Sequence, residues 1–335
     1  MTEQLNSSNQ GKKPTVSVVI VCMNNLKNLY PCLESIKKYT HVSYECFVVA
    51  YLFTKENLEK VKADFPWVKF IESNEIRGFS ENNNLALRQA RGKYCFVQND
   101  DTEFRMPFID KLVETIEELP DKVAIVSPKG ILGNGQIQYC GRAAHSRWHY
   151  FLGAFGLWSE KRANKRNPTR GIFKSYDIIG AYFLIKTELF KEIGWFDERY
   201  FFTPEDIAVS CELRKRGYEC WVDADAEIIH YEGMTGKSMS PIQTATGPAG
   251  FVGAMMWRGG NTYIGYCLFT LLNLPYTIGQ FIYHSLRSNH HGKPNRYNLL
   301  AKKEHNVLSV CFTRKTPKDV FVKFYERIES TKKEK

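Results

Sequence analysis

Two acidic pairs and one histidine carry most of the chemistry open to this 335-residue chain. The first pair closes the stretch Val97-Gln98-Asn99-Asp100-Asp101-Thr102, directly after the apolar run Tyr94-Cys95-Phe96-Val97. An apolar run ending in carboxylates reads as a buried strand whose C-terminal edge opens into a cleft, where open α/β sheets place their ligands. Adjacent aspartates repel unless a cation neutralises them, and hard divalent ions such as Mg²⁺ or Mn²⁺ prefer oxygen ligands of this kind. The corner therefore points to a metal site that holds a diphosphate, with capping of a turn as the plain alternative. In the second pair, Glu205-Asp206, the carboxylates follow Thr203-Pro204, where Thr203 can cap a helix, Pro204 can open it and the acids can sit at its positive end. Such a carboxylate can take a proton from a hydroxyl or simply cap the helix. His230 closes a short apolar run ahead of the loop 231–236, a place that suits a structural or a ligand role.

The elements that must position these groups alternate. Val16 to Val21 is a strand apolar on both faces, Leu26 to Tyr39 a helix, Glu45 to Ala50 a strand, Lys55 to Phe65 a helix and Val68 to Ile71 a short strand. Glu81 to Arg91 reads as a helix stopped by Gly92, and Tyr94 to Val97 as the strand feeding the acidic corner. A helix from Pro107 to Glu118, a strand from Val123 to Ser127, an apolar run Ile178 to Ile185, a helix Lys186 to Ile193, a helix from Pro204 to Arg216 and strands near 220–222 and 227–230 complete the pattern. Strand and helix in turn imply an α/β fold, with a Rossmann-like, mostly parallel sheet flanked by helices. Residues 130–176 are less regular and carry Lys161, Arg162, Lys165, Arg166 and Arg170. A loop of that length is either functional or a solvated insertion.

Composition narrows the classes. Hydrophobic residues make up 43% and charged residues 24%, as in ordinary globular proteins. Nine cysteines form no C-x-x-C pair, which argues against a zinc ribbon or disulfide framework and for a reducing compartment. Residues 1–13 read as a disordered leader, and no export signal is visible at the front. The net charge of +10 is concentrated at the end: from Arg287 onward the balance is +8. The basicity belongs to a tail, and no nucleic-acid module appears, so nucleic acid is not an expected partner.

The order of motifs resembles the family 2 glycosyltransferases, inverting enzymes of the GT-A fold, and most of all their rhamnosyltransferase-type members. The resemblance runs from Val16 to about Gly236. It rests on Asn24-Asn25 after the first strand, Asn74-x-x-x-Gly78-Phe79 with Asn82-Asn83-Asn84, the Gln98 to Thr102 corner, Ile179-Gly180-Ala181-Tyr182-Phe183-Leu184, Gly194-Trp195-Phe196-Asp197-Glu198, Glu205-Asp206 and Ile229-His230-Tyr231. It implies transfer of a sugar from a nucleotide-diphosphate sugar to a hydroxyl of a lipid-linked or other saccharide acceptor in cell-surface polysaccharide synthesis. It further implies a metal, Mg²⁺ or Mn²⁺, at Asp101 with help from Asn99 or Asp100, and His230 within reach of metal or diphosphate. Asp206 matches the general base best, with Glu205 beside it. Donor contacts fall on Asn24, Asn25, Arg77, Gly78, Asn82, Asn99 and Asp100, and acceptor contacts on Gly180, Ala181 and Trp195.

Two departures stand out. After the second strand the family's acidic residue and asparagine give way to Val49-Ala50-Tyr51-Leu52-Phe53-Thr54, leaving Tyr51 or Phe53 to stack on a base. The family's Glu-Asp-x-Asp-x-x-x-Arg becomes Glu205-Asp206-Ile207-Ala208-Val209-Ser210-Cys211-Glu212. These losses motivate a rival reading, a catalytically silent membrane partner in an assembly complex.

The domains expected are a catalytic part over 14–256, an apolar membrane-associated helical segment over 257–290 and a basic tail over 291–335. No Asp, Glu, Lys or Arg lies between Arg258 and Arg287. Asn273, Pro275, Thr277, Gly279 and Gln280 interrupt a simple span, so a re-entrant or interfacial hairpin bent near Pro275 is favoured, with the tail on anionic lipid. A helical pair buried on the domain or on a second subunit is the alternative, which leaves a homo-oligomer open. This reading places the protein in the cytoplasm, peripheral or monotopic at the inner face of the cytoplasmic membrane.

Overall fold

The computed structural model describes residues 13–144, 147–231, 246–247, 249, 263–313 and 315–333. The leader up to residue 12, the loop 232–236 and the boundary at 256/257 lie outside the described residues. Ten strands form one sheet: β1 (Val16–Cys22), β2 (Tyr44–Tyr51), β3 (Val68–Ser73), β4 (Tyr94–Asn99), β5 (Thr102–Glu103), β6 (Val123–Ile131), β7 (Ile137–Tyr139), β8 (Ile172–Ser175), β9 (Tyr182–Lys186) and β10 (Glu219–His230). Their order is β3-β2-β1-β4-β9-β6-β10-β5, with β7 on β6 and β8 on β10. The first four neighbours pair in parallel, as the alternation predicts. Beyond β4 the sheet is mixed, because β9 enters antiparallel between β4 and β6.

Alternation along β1 sorts the core into two layers. Val16, Val18 and Ile20 face α1 (Leu26–Tyr39) and α4 (Phe108–Glu118). Val19 points to the other side, toward α3 (Phe79–Leu87), α7 (Thr187–Glu192) and α8 (Glu205–Lys215). Both faces are thus covered, which is why this strand reads as continuously apolar. The helix α2 (Lys55–Asp64) is capped by Thr54, whose side chain accepts from Asn57 N.

Several boundaries differ from the sequence reading. The helix expected over Glu81 to Arg91 starts at Phe79 and ends at Leu87, and Gly92 is not its stop. A Cβ on Gly92 would lie 2.5 Å from Ser17 N, so glycine is needed there for close backbone approach. Pro204 occupies the N-cap of α8 and Thr203, with φ 36°, does not cap it, so Glu205 and Asp206 become the first two helical residues. The two expected late strands are one strand, β10, whose pairing with β6 shifts register between Asp223 and Glu227. The irregular stretch holds β7, α5 (Arg147–Ala154), α6 (Glu160–Asn164) and β8.

The C-terminal part is helical: α9 (Tyr263–Arg287), α10 (Arg296–Phe312) and α11 (Pro317–Lys333). The hairpin does not bend at Pro275, which lies inside α9. It turns instead at residues 288–295, where Asn289 N donates to Asn298 Oδ1 and Asn295 Nδ2 donates to Arg287 O. Packing of α10 along α9 supplies the support that lets a helix run through proline. Among the described residues no helix is long and apolar enough to cross a membrane. The tail is also not wholly available to lipid. Phe321 of α11 stacks on Phe201 with ring centroids 3.5 Å apart, and Lys318 Nζ pairs with Glu81 Oε1 at 2.6 Å.

Candidate functional site

The sheet brings both acidic pairs and His230 to one cavity of about 380 Å³, lined among others by Tyr51, Arg77, Asn82, Asn99, Asp101 and Asp206. Strand β4 ends at Asn99, and the chain turns through Asp100 and Asp101 into β5, which pairs antiparallel with the end of β10 so that Thr102 faces His230. Tyr231 N donates to Asp101 O at 2.9 Å and locks this turn. As a result His230 Nε2 stands 3.1 Å from Asp101 Oδ1 and 3.4 Å from Asn99 Nδ2. His230 Nδ1 lies 2.9 Å from Gln138 Oε1. With Nδ1 donating to that oxygen, Nε2 directs its lone pair at a carboxylate, an arrangement that calls for a cation or a second proton between them.

That geometry fits a divalent ion. Carboxylate and amide oxygens with one imidazole nitrogen suit Mn²⁺ or Mg²⁺, and such ions usually complete their shell with phosphate and water. Among the described residues no three His, Cys, Asp or Glu side chains form a ready-made cage. Asp101 and His230, with Asn99 or Asp100, are the residues that could hold the ion.

The opposite wall is the start of α8. Asn99 N donates to Ala181 O at 2.9 Å, so the antiparallel entry of β9 sets Gly180 and Ala181 beside the acidic corner. Gly180 N donates to Asp206 Oδ2 at 3.0 Å, and a Cβ on Gly180 would lie 3.1 Å from Glu205 Oε1. Sequence reasoning missed the next contact. Arg142 Nη1 pairs with Asp206 Oδ2 at 2.6 Å while its Nε pairs with Glu160 Oε1 at 2.6 Å. Arg142 lies in an irregular stretch between β7 and α5, and no spacing in the sequence signals its partner 64 residues away. The family pattern's missing Asp and Arg leave Ala208 and Glu212 on α8, and Arg142 supplies a guanidinium from another part of the chain.

The two acids of this pair live in different surroundings. Asp206 has the Arg142 guanidinium, Gly180 N and the positive helix end. Glu205 is buried, its Oε2 meets no partner among the described residues, and burial plus the Asp206 charge push its carboxyl well above the usual range. A carboxyl so raised keeps its proton in the folded chain where the unfolded chain has released it. The stability it supports is complete below its ordinary value of 4.5 and is lost as pH rises through its folded value. Glu205→Gln is expected to flatten the fall of the thermal midpoint with pH over that interval. An unchanged slope would show that Glu205 is ionised in the folded protein.

The residues expected on the donor side divide. Arg77 lines the cavity, its N–H donating to Tyr51 Oη at 3.3 Å, and Asn82 supports it through Nδ2 to Arg77 O. Tyr51 lines the cavity and Phe53 packs into the core instead. Asn24, Asn25 and Gly78 are not among the lining residues. Asn24 Oδ1 accepts from Asn57 Nδ2, Asn25 caps α1, and Gly78 sits at the N-cap of α3. Asn84 ties α3 to the turn after α7, accepting from Phe196 N and donating to Phe196 O. Trp195, expected at the acceptor, packs on Phe190 and does not line the cavity. Ile179, from the same motif as Gly180 and Ala181, lines it too, as do Met23 and Phe202, which no motif marks.

A mixed α/β sheet with an acidic corner facing a helix-borne carboxylate across one cleft fits the GT-A fold. The profile of Glycosyl transferase family 2 matches residues 17–194, and the chain belongs to that family. It is 24% identical over 164 residues, 47% of its length, to "O-antigen biosynthesis protein RfbC" of Myxococcus xanthus. It is 26% identical over 240 residues, 65% of its length, to "Uncharacterized protein y4gI" of Sinorhizobium fredii. The matched parts cover 12% and 24% of those relatives. Among solved structures the fold is similar to GalNAc-T7 with UDP, GalNAc and Mn²⁺, with TM-score 0.53, 16% identity and coverage of 96% of this chain and 58% of that one. It is also similar to the mannosyltransferase PcManGT from Pyrobaculum calidifontis in complex with GDP-Man and Mn²⁺, with TM-score 0.50, 15% identity and coverage of 90% and 86%.

Proposed function

We propose that the protein moves a sugar, with inversion, from a nucleotide-diphosphate sugar to a hydroxyl of a lipid-linked saccharide in the synthesis of a cell-surface polysaccharide. The observation that carries this reading is that Asp206 and the Asp101–His230 pair line the same cavity. The diphosphate belongs at Asn99, Asp100, Asp101 and His230, and the base beside Tyr51 and Arg77. A divalent ion bound there supplies electrostatic stabilisation of the leaving diphosphate. Asp206 takes the acceptor proton, and Arg142 and Gly180 N hold its Oδ2 in place. The curated relative named for O-antigen biosynthesis and the neighbours solved with UDP or GDP-Man support the substrate class.

A silent partner in an assembly complex is the second reading. What favours it is the engagement of Asp206 Oδ2 by a guanidinium at 2.6 Å. A donor screen separates the two: purified protein with Mn²⁺ or Mg²⁺, a panel of UDP-, dTDP- and GDP-sugars, with and without lipid extracts, read as released nucleoside diphosphate. The enzyme reading expects release from one donor, abolished by chelation and lowered on the order of 10²-fold or more in Asp101→Ala. Silence with every donor and extract moves the assignment to the partner role.

A further inference from the structure

The helix α9 is built inside out for water. Leu271, Leu272, Ile278, Ile282 and Leu286 are exposed, by 65, 57, 39, 53 and 82%. Asn273, Thr277 and His284 are buried at 1, 2 and 7%. Residues 271, 275, 278, 282 and 286 recur every three or four positions, so the exposed apolar side chains form one stripe along the helix. The opposite stripe meets α10, which contributes buried Glu304 and Asn306. A hairpin facing water buries its apolar stripe, whereas one facing hydrocarbon turns its polar groups inward to each other.

The inserted stretch extends this face. Phe155 makes an edge contact with Tyr276 of α9, ring centroids 5.8 Å apart, and Trp148, Phe155 and Leu157 are each at least 66% exposed. Charge says what covers it. No charged side chain lies between Arg258 and Arg287, while exposed Lys161 and Arg162 follow the inserted aromatics and exposed Arg287, Lys293 and Arg296 follow α9. An apolar face rimmed by cations matches a layer of anionic headgroups over acyl chains, where lysine and arginine reach outward to the phosphates. A second copy would bring the same positive rim against it.

We infer that α9 and the inserted stretch 148–162 form a single in-plane docking face for an anionic lipid surface. The helix lies in the interface and does not cross it, in keeping with the polar side chains along its inner stripe. On the proposed function this has a consequence for the acceptor. The same insertion anchors Arg142 through Glu160, and Arg142 holds Asp206, so two ion pairs tie the docking face to the candidate base that meets the acceptor.

The test is flotation of the full chain with vesicles of phosphatidylcholine alone or mixed with phosphatidylglycerol, at about 0.1 M and about 1 M salt. Wild-type protein is expected to float with the anionic vesicles, less so at high salt. Leu271→Glu combined with Ile278→Glu and Ile282→Glu is expected to lower the bound fraction at least about tenfold, with Leu286→Glu as a milder variant should the triple one fold poorly. Lys161→Glu with Arg162→Glu is expected to weaken the preference for anionic over neutral vesicles. The inference is overturned if wild-type protein stays unbound with both compositions, or if the apolar variants float unchanged. A stable dimer in sedimentation that the apolar variants dissociate, with no vesicle binding, would assign the face to a second copy. Flotation needs no donor or turnover, so its outcome is independent of the enzyme reading.

Discussion

Replacing Asp206 by Asn is expected to slow transfer by about 10²- to 10⁴-fold, the usual worth of a positioned general base. The substitution keeps the shape but removes the charge and the basicity. One amide oxygen can still accept from Arg142 and Gly180, which use the same carboxylate oxygen, Oδ2. The amide nitrogen then faces Ile207 N, which donates to Oδ1 at 2.7 Å, so two donors meet. A stability loss of about 1–3 kcal/mol accompanies the loss of activity. Glu205→Gln is the matched control. Because Glu205 is buried with its carboxyl pushed well up, an amide there replaces a group already neutral near pH 7, and activity is expected to stay within several-fold. Single-turnover release from the donor identified by screening decides between them. The opposite ranking, with Glu205→Gln the dead variant, would move the base to Glu205.

The largest stability effect is expected at Arg142. Arg142→Met removes one guanidinium from two carboxylates at 2.6 Å, and breaking a buried pair costs about 3–5 kcal/mol because the partner charges stay behind. Asp177 adds to the strain: it is buried, pushed up to about 6, and Arg142 is among the cations that hold it down. Arg142→Lys is expected to rescue little, since one ammonium cannot match the fork geometry that serves Glu160 and Asp206 together. Denaturant midpoints would measure both. Combining Arg142→Met with Asp206→Asn is the sharper experiment, because removing the stranded charge should return part of the loss, a coupling of about 1–3 kcal/mol. Strict additivity would mean that the ion pair does not couple the insertion to α8.

The parts of the site legible in the sequence are those where local chemistry and position coincide. Apolar runs such as Tyr94 to Val97 declare themselves as strands because both faces are buried, and the carboxylates that follow fall at the sheet's open edge. The Glu205-Asp206 pair was visible for the same reason, at a helix start. Asn24, Asn25 and Gly78 have structural roles that motif order does not reveal: Asn24 Oδ1 accepts from Asn57 Nδ2, Asn25 caps α1, a Cβ on Gly78 would lie 2.5 Å from Phe201 O, and none of the three lines the cavity. Arg142 was out of reach because its meaning depends on a contact across 64 residues. For α9, composition revealed an apolar stretch, but only packing against α10 shows which stripe faces outward. Pro275 misled by its chemistry alone, since tertiary contacts carry the helix through it.

The stacking of Phe321 on Phe201 changes what counts as the catalytic unit. Residues 201 and 202 lead directly into Thr203 and the Glu205-Asp206 pair, and they rest on a helix from the far end of the chain. Lys318 adds a second tie, to Glu81 at the head of α3, one residue before Asn82. The unit that shapes the cleft is therefore discontinuous in sequence, with its closing segment supplied by residues 317–325 after the whole α9–α10 hairpin. A shorter chain ending before α9 would contain every candidate catalytic side chain and still lack one wall of the scaffold that holds them.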